Sequence, residues 1–212
     1  MAGCQSVTLA LNDLLTSPQQ RMQYVYFPTE SFISQTVNAD GRSGLEVGLI
    51  GDEGMLGLSL MLGVTSAPLR AVVQGAGLAL RMETAAFCRE LRAQPVLEGV
   101  LKRYTYVVMA QTAQTAACTH FHFIEARLAR WLLMSRDRSH SNSFYVTHEF
   151  LSYMLGVRRA GVTRAATALQ RRRLIHYRRG DLTILDGAGL EAAACECYAR
   201  DNASYAQVMD AH

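Results

Sequence analysis

Two groups of residues in this 212-residue chain have the type and spacing to do chemistry. The first is cationic. Arg158, Arg159 and Arg164 fall on the polar side of a helical pattern with Thr163 and Thr167, while Val162, Ala165, Ala166 and Leu169 recur on the other side. A guanidinium is a planar fork that engages a phosphate or a guanine edge bidentately, so a slim basic helix face suits double-stranded nucleic acid. The second group is thiol and imidazole: Cys118, His120, His122 and the pair Cys195-x-Cys197. Such groups can ligate a metal or a haem. Residues two apart on a helix point to nearly opposite sides, however, so a metal shared by Cys195 and Cys197 is not expected. At a hinge between helices, His120 and His122 are expected to pack and hydrogen-bond. No nucleophile, base and oxyanion donor cluster together, so neither catalytic residues nor a cofactor are expected.

The arginines need a scaffold, and the sequence from Thr147 to Asp186 supplies one. Thr147 is an N-cap residue type, and Glu149 lies in the first turn, where its charge suits the positive helix end. Phe150, Leu151, Met154 and Leu155 follow at helical spacing, and Gly156 stands where a tight turn tolerates positive φ. A second helix then begins near Arg158. Two short helices joined by such a turn, with arginines at the start of the second, form a helix-turn-helix, which places side chains against base edges in the major groove. Leu174–Tyr177 and Leu182–Leu185 flank Arg178-Arg179-Gly180-Asp181 and read as a hairpin wing. A solvated basic hairpin that contacts a protein is the competing reading. Spacing, turn glycine and wing agree on DNA, whereas Arg171-Arg172-Arg173 alone would suggest only a hydrated helix end.

Charge is distributed to match. The chain carries a net +3, but Arg127–Asp186 holds twelve arginines against four acids, a local +8. Residues 1–126 sum to −2 and residues 187–212 to −3, so one third of the chain faces a polyanion. Only Lys102 among the 21 basic residues is a lysine. Five scattered cysteines argue against a disulfide framework and for a reducing compartment. No uncharged apolar run is long enough to span a membrane and no signal-peptide pattern opens the chain, so a cytoplasmic location is expected.

Upstream, Tyr24–Phe27, Phe32–Val37, Leu45–Ile50, Arg70–Gln74 and Gly77–Met82 read as short strands separated by turns, with Asn38-Ala39-Asp40-Gly41 the strongest turn. Leu45, Val47 and Leu49 should share one face. Such strands suggest an antiparallel roll. Thr84–Arg92 reads as a helix, and Pro95 opens a longer helical stretch to about Arg138, broken near Thr119. Within it Leu97, Leu101, Tyr104, Val108, Gln111, Thr115 and Cys118 step by four and three, a heptad seam on which two copies of the chain could pair. The alternative is that the seam packs on its own roll. Phe121 to Leu133 is more continuously apolar and should cement the hinge between domains.

A roll of strands, a seam helix and a winged helix-turn-helix resemble the Crp/Fnr family of bacterial transcription regulators. The motif Thr147-x-Glu149-Phe150-Leu151-x-x-Met154-Leu155-Gly156-Val157-x-Arg159-x-x-Val162-x-Arg164 is similar to its signature. Arg127–Leu133 and Leu190–Tyr198 look like one large subgroup of it. The resemblance implies an α+β fold in three parts: a cyclic-nucleotide-binding-like β-roll over 1–94, a dimerisation helix and hinge over 95–138, and a winged helix-turn-helix over 139–212. It implies a homodimer on palindromic double-stranded DNA, with RNA polymerase a further candidate partner. The implied DNA-binding residues are Thr147, Arg158, Arg159, Gly161, Thr163 and Arg164, with Arg159 and Arg164 reading bases.

Two departures qualify it. The family's usual glutamate between the reading arginines is Ala160 here, which puts the preference at that base step in doubt. Members that bind cyclic nucleotides carry a Gly-Glu pair and, about ten residues on, an Arg-Ser/Thr-Ala. The corresponding stretches here are Gly57-Leu58 and Ala67-Pro68-Leu69. A buried phosphate without a cation or dense N–H donors is strongly disfavoured, so ordinary cAMP binding is not expected unless Arg70 substitutes. The effector is therefore unknown. Either an altered pocket in residues 45–75 near Thr112 senses another nucleotide or small molecule, or the roll is a protein-interaction module.

Overall fold

The computed structural model describes residues 3–39 and 42–210, so Asp40 and Gly41 of the expected turn lie outside the described residues. In chain order the strands and helices are β1 (Gln5–Leu9), β2 (Leu14–Thr16), β3 (Tyr24–Pro28), β4 (Phe32–Ala39), β5 (Arg42–Ile50), β6 (Arg70–Gly75), β7 (Gly77–Glu83), α1 (Thr84–Ala93), α2 (Pro95–Phe121), α3 (Ile124–Ser139), β8 (Ser143–Tyr145), α4 (His148–Met154), α5 (Arg159–Arg171), β9 (Ile175–Arg178), β10 (Asp181–Ile184), α6 (Gly187–Ala193) and α7 (Cys197–Met209). The fold is α+β, with antiparallel sheets in the N-terminal part and a helix-turn-helix in the C-terminal part.

The chain divides into two compact units. Met1–Thr36, Gly48–Ala110 and Ser204–His212 form the first; Val37–Val47 and Gln111–Ala203 form the second. This division passes through α2, whereas the division by expected role sets that helix apart as 95–138.

In the first unit, β1, β7 and β3 make one antiparallel sheet, and β2, β6 and Phe32–Thr36 of β4 pair in a second. Alternation explains the face each strand buries: in β6, Ala71 and Val73 are inside while Arg70 and Val72 lie in the other phase. Val25, Ile33, Val73 and Ala79 are fully enclosed. A second apolar cluster joins Met22, Met55, Phe87, Leu101 and Tyr104, with Leu97 and Val108 packed against it.

The four upstream members of the expected dimer seam are therefore used within their own chain, because the roll offers them apolar surface to cover. The solvent-facing stripe of α2 is another heptad phase: Lys102, Tyr106, Met109, Ala113, Ala116 and His120 are exposed, again stepping by four and three. The break in the long helical stretch comes at His122-Phe123, slightly later than expected.

In the second unit, α3 is the central helix. Its residues Arg127 to Leu133 are all buried, and Leu128, Leu132 and Leu133 pack with Leu151, Val162, Leu169, Ile175, Leu182 and Leu190 from the surrounding elements. Leu45 and Val47 are only part-buried, and Glu46 is the enclosed residue between them, accepting a hydrogen bond from the Trp131 indole Nε1–H at 2.8 Å. A buried indole N–H requires an acceptor, and that requirement overrides the simple apolar alternation of β5. The tail also differs from expectation. Helix α6 ends at Ala193, Cys195 lies in the connection, and Cys197 opens α7, so the two cysteines are not on one helix and the opposite-sides argument does not apply to them.

Candidate nucleic-acid interface

Helix α4 starts where its cap dictates. Thr147 Oγ1 accepts from the Phe150 N–H at 3.1 Å, satisfying one of the first-turn donors. The helix stops at Leu155, and Gly156 follows at φ +63°, the left-handed conformation that reverses the chain cheaply only for glycine. Val157 N–H donates back to the Ser152 carbonyl and closes the turn. From below, the buried Arg127 donates through Nη2 to the Leu155 carbonyl, so the turn is also held by α3.

Helix α5 begins at Arg159 with Arg158 as its N-cap residue and no side-chain cap. Val162, Ala165, Ala166 and Leu169 seal its inner face. Arg158, Arg159, Ala160, Thr163 and Arg164 are exposed together at its N-terminal half. Gly161 departs from this expected contact set. It is buried, its N–H donates to the Arg158 carbonyl, and a Cβ there would meet Ile124 Cδ1 at 2.8 Å, so its small size serves the close approach of α5 to α3. Thr147 accepts the α4 cap bond through its hydroxyl oxygen and lines the concavity described below.

The wing contains three strands instead of the expected two, in the order β8-β10-β9. Arg179 (φ +56°) and Gly180 (φ +97°) make its turn, the positive-φ pair that matches the twist of a tight hairpin. A Cβ at Gly180 would collide with the Tyr145 ring at 2.4 Å. A concavity of about 300 Å³ lies between wing and helices, lined by Thr147, His148, Arg159, Gln170, Tyr177, Arg179 and Gly180.

His148 was not singled out from sequence, yet it sits at the centre of this surface. Its Nδ1 is 3.1 Å from Thr163 Oγ1, and its ring meets the Tyr177 ring edge-on with centroids 4.7 Å apart. Burial pushes its pKa below the usual histidine value, and the Arg159 guanidinium pushes it further down. Tyr177 is pinned by its hydroxyl, which donates to the Val146 carbonyl at 2.6 Å, and burial raises its pKa to about 12. Only the fold brings wing, α4 and α5 side chains together, which is why residue spacing gave no signal for His148.

The arginines divide into two kinds. Arg130 pairs with Asp201 at 2.6 Å, Arg136 with Asp137 and Glu191, and Arg172 with Glu125 at 3.0 Å. Arg158, Arg159, Arg164, Arg171, Arg173, Arg178 and Arg179 are exposed and have no carboxylate within ion-pair distance among the described residues. No acid stands in the first turn of α5. A positive helix end stabilises anions and disfavours cations, so arginines there oppose the local electrostatics of the isolated chain. An anionic partner reverses that balance, and phosphate is the anion that helix N-termini and arginine forks both accommodate.

The first unit contains a different concavity. About 120 Å³ is enclosed by fourteen residues that include Gly57, Leu58, Ala67, Pro68, Leu69, Tyr104 and Val108. None of its lining side chains is charged, and Arg70 is not among them.

Residues 126–193 match the Crp-like helix-turn-helix domain. No curated protein sequence matches the chain. Among solved structures it is similar over 91% of its length, and 98% of the other chain, to FixK2 from Bradyrhizobium japonicum, with a TM-score of 0.76 and 11% identity. TTHB099, a CRP-family transcriptional regulator from Thermus thermophilus, matches over 89% of this chain and 96% of its own, with a TM-score of 0.70 and 19% identity. The c-di-GMP responsive global regulator CLP of Xanthomonas campestris matches over 86% and 94%, with a TM-score of 0.67 and 13% identity. The fold is therefore that of the Crp/Fnr transcription regulators.

Proposed function

We propose that this protein is a sequence-specific DNA-binding transcription regulator of the Crp/Fnr type that binds a palindromic site as a homodimer. The observation that carries this reading is the set of exposed arginines, without carboxylate partners among the described residues, at an uncapped helix N-terminus opposite an arginine-bearing wing turn. Arg159 and Arg164 take the base edges, Arg158 and Thr163 flank them, and Arg178 and Arg179 engage phosphates. Ala160, exposed and without a polar group, removes an acceptor for a cytosine amine, so the preferred site is looser at that step.

The solvent-facing stripe of α2 supports pairing of two copies. Tyr106 and Met109 are 61% and 66% exposed, and Ala113 and Ala116 let backbones approach closely. Two reading helices then address half-sites about 34–36 Å apart. Cyclic AMP is not the effector, because a charge-free concavity of about 120 Å³ cannot compensate a buried phosphate. A second reading, sensing of a small uncharged molecule, is favoured by that same apolar concavity.

Selection of binding sites from a random duplex pool, followed by gel-shift titration, tests the main reading. A recovered palindrome bound by a dimer is expected. Recovery of no enriched sequence, with only salt-sensitive uniform binding, would overturn it.

A further inference from the structure

Four metal-ligating side chains that DNA recognition does not use converge within the second unit. They come from two stretches far apart in sequence. Cys118 and His122 lie four positions apart at the end of α2, a spacing that puts both side chains on one helix face. The His122 N–H still donates to the Cys118 carbonyl at 3.2 Å, so the helical turn persists between them. Cys195 and Cys197 lie at the α6–α7 connection. The three sulfurs and one imidazole nitrogen all lie within 4.8 Å of one another. Cys118 Sγ and Cys195 Sγ are 3.5 Å apart, as are Cys197 Sγ and His122 Nδ1.

These distances have a geometric meaning. A tetrahedral zinc with Zn–S of about 2.3 Å and Zn–N of about 2.0–2.1 Å requires S···S edges of about 3.8 Å and S···N edges of about 3.5 Å. A disulfide would need only two of the four groups, with no reason for the third sulfur and the imidazole to join them. An iron–sulfur cluster needs a wider cage than a single ion, since its ligands bind different iron atoms.

The surroundings also suit a thiolate centre. Gln114 Nε2 donates to Cys197 Sγ at 3.0 Å, the kind of outer hydrogen bond that orients a metal-bound thiolate. Arg127 is buried, and no carboxylate lies within ion-pair distance of it among the described residues. Burial is the largest influence on its pKa and lowers it. Three thiolates and one divalent cation sum to a single negative charge, which balances that buried guanidinium. Cys118, Cys195 and Cys197 are enclosed, whereas His122 is part-exposed, leaving a path for the ion on the imidazole side.

We infer that Cys118, His122, Cys195 and Cys197 form a tetrahedral Cys3His site for zinc. The ion clasps the end of α2 to the α6–α7 connection, joining positions 77 residues apart, and stabilises the unit that carries the helix-turn-helix. Binding of each thiol releases its proton to solvent as the metal–sulfur bond forms. The inference stands on the cluster alone and does not depend on the DNA-binding reading.

The test uses the full chain purified anaerobically with a reductant. Elemental analysis is expected to find one zinc per chain, and exchange with cobalt(II) is expected to give the strong visible bands of a tetrahedral thiolate complex. His122→Cys should keep one ion per chain with altered cobalt bands, while Cys197→Ser should lose both the ion and the bands. Chelation should lower the melting temperature of the wild type and leave that of Cys197→Ser unchanged. Folded wild-type protein that takes up neither zinc nor cobalt(II) would overturn the inference. So would a Cys118–Cys195 disulfide found by mass spectrometry in the reduced preparation.

Discussion

Arg159→Ala separates base reading from general charge attraction. Arg159 stands at the first helical position of α5, exposed and without a carboxylate partner among the described residues, where a bidentate contact to a guanine edge is worth about 1–3 kcal/mol. That range corresponds to roughly 5- to 150-fold in affinity per half-site. A dimer on a palindrome presents the change twice, so the whole-site loss is about 2–6 kcal/mol if the half-sites act independently. Arg179→Ala, at the wing turn, should instead weaken all sequences alike and lower the salt slope by about 0.9 for each phosphate no longer neutralised. Arg172→Ala is the internal control, since that side chain is paired with Glu125 at 3.0 Å and is half-exposed, where such pairs are worth at most about 1 kcal/mol. Fluorescence anisotropy of a labelled duplex at several salt concentrations, with an unrelated duplex as competitor, resolves the three variants. Wild-type affinity and specificity in Arg159→Ala would refute the assignment of α5 as the reading helix, as would a larger specific loss in Arg172→Ala.

Glu46→Ala leaves the buried Trp131 N–H without its acceptor, at a cost of about 1–3 kcal/mol, and thermal unfolding should shift down by roughly 2–4 °C per kcal/mol; an unchanged midpoint would show that the bond contributes nothing net. His148 has a folded pKa below its unfolded value of about 6.5, so its contribution to stability is complete above that pH and is lost as pH falls from there through the lower folded pKa. His148→Gln should therefore flatten the acid side of the stability profile, and an identical profile in the variant would remove His148 as a cause. Cyclic AMP at about millimolar concentration should not raise the melting temperature, because a ligand with no site in the native state contributes no linkage stabilisation. A concentration-dependent rise would place a nucleotide site in the roll.

The helix-turn-helix was legible because its signals are local: the Thr147 cap, the positive-φ Gly156 and the apolar spacing of α4 and α5 all act within a few residues. The roll was legible for the same reason, through strand alternation and turn residues. The phase of α2 was not. Two stripes of that helix follow the same four-and-three step, and periodicity alone cannot say which one the roll covers. Gly161 looked like a point of approach to DNA, but its surroundings make it a packing glycine against Ile124. The cysteine cluster was hidden by sequence distance and by the wrong assumption that Cys195 and Cys197 share a helix. Glu46 was similarly invisible, since its acceptor role depends on Trp131, 85 residues away.

The span that matches the Crp-like helix-turn-helix domain, 126–193, has the four clustered ligands on its two flanks and none inside it. A fragment trimmed to the homologous span would keep the reading helix and the wing while discarding every donor atom that joins their ends. Chimeras that exchange DNA-reading modules among proteins of this fold should accordingly be cut outside Cys118 and Cys197. The boundary of recognition and the boundary of autonomous folding are then different places on the chain.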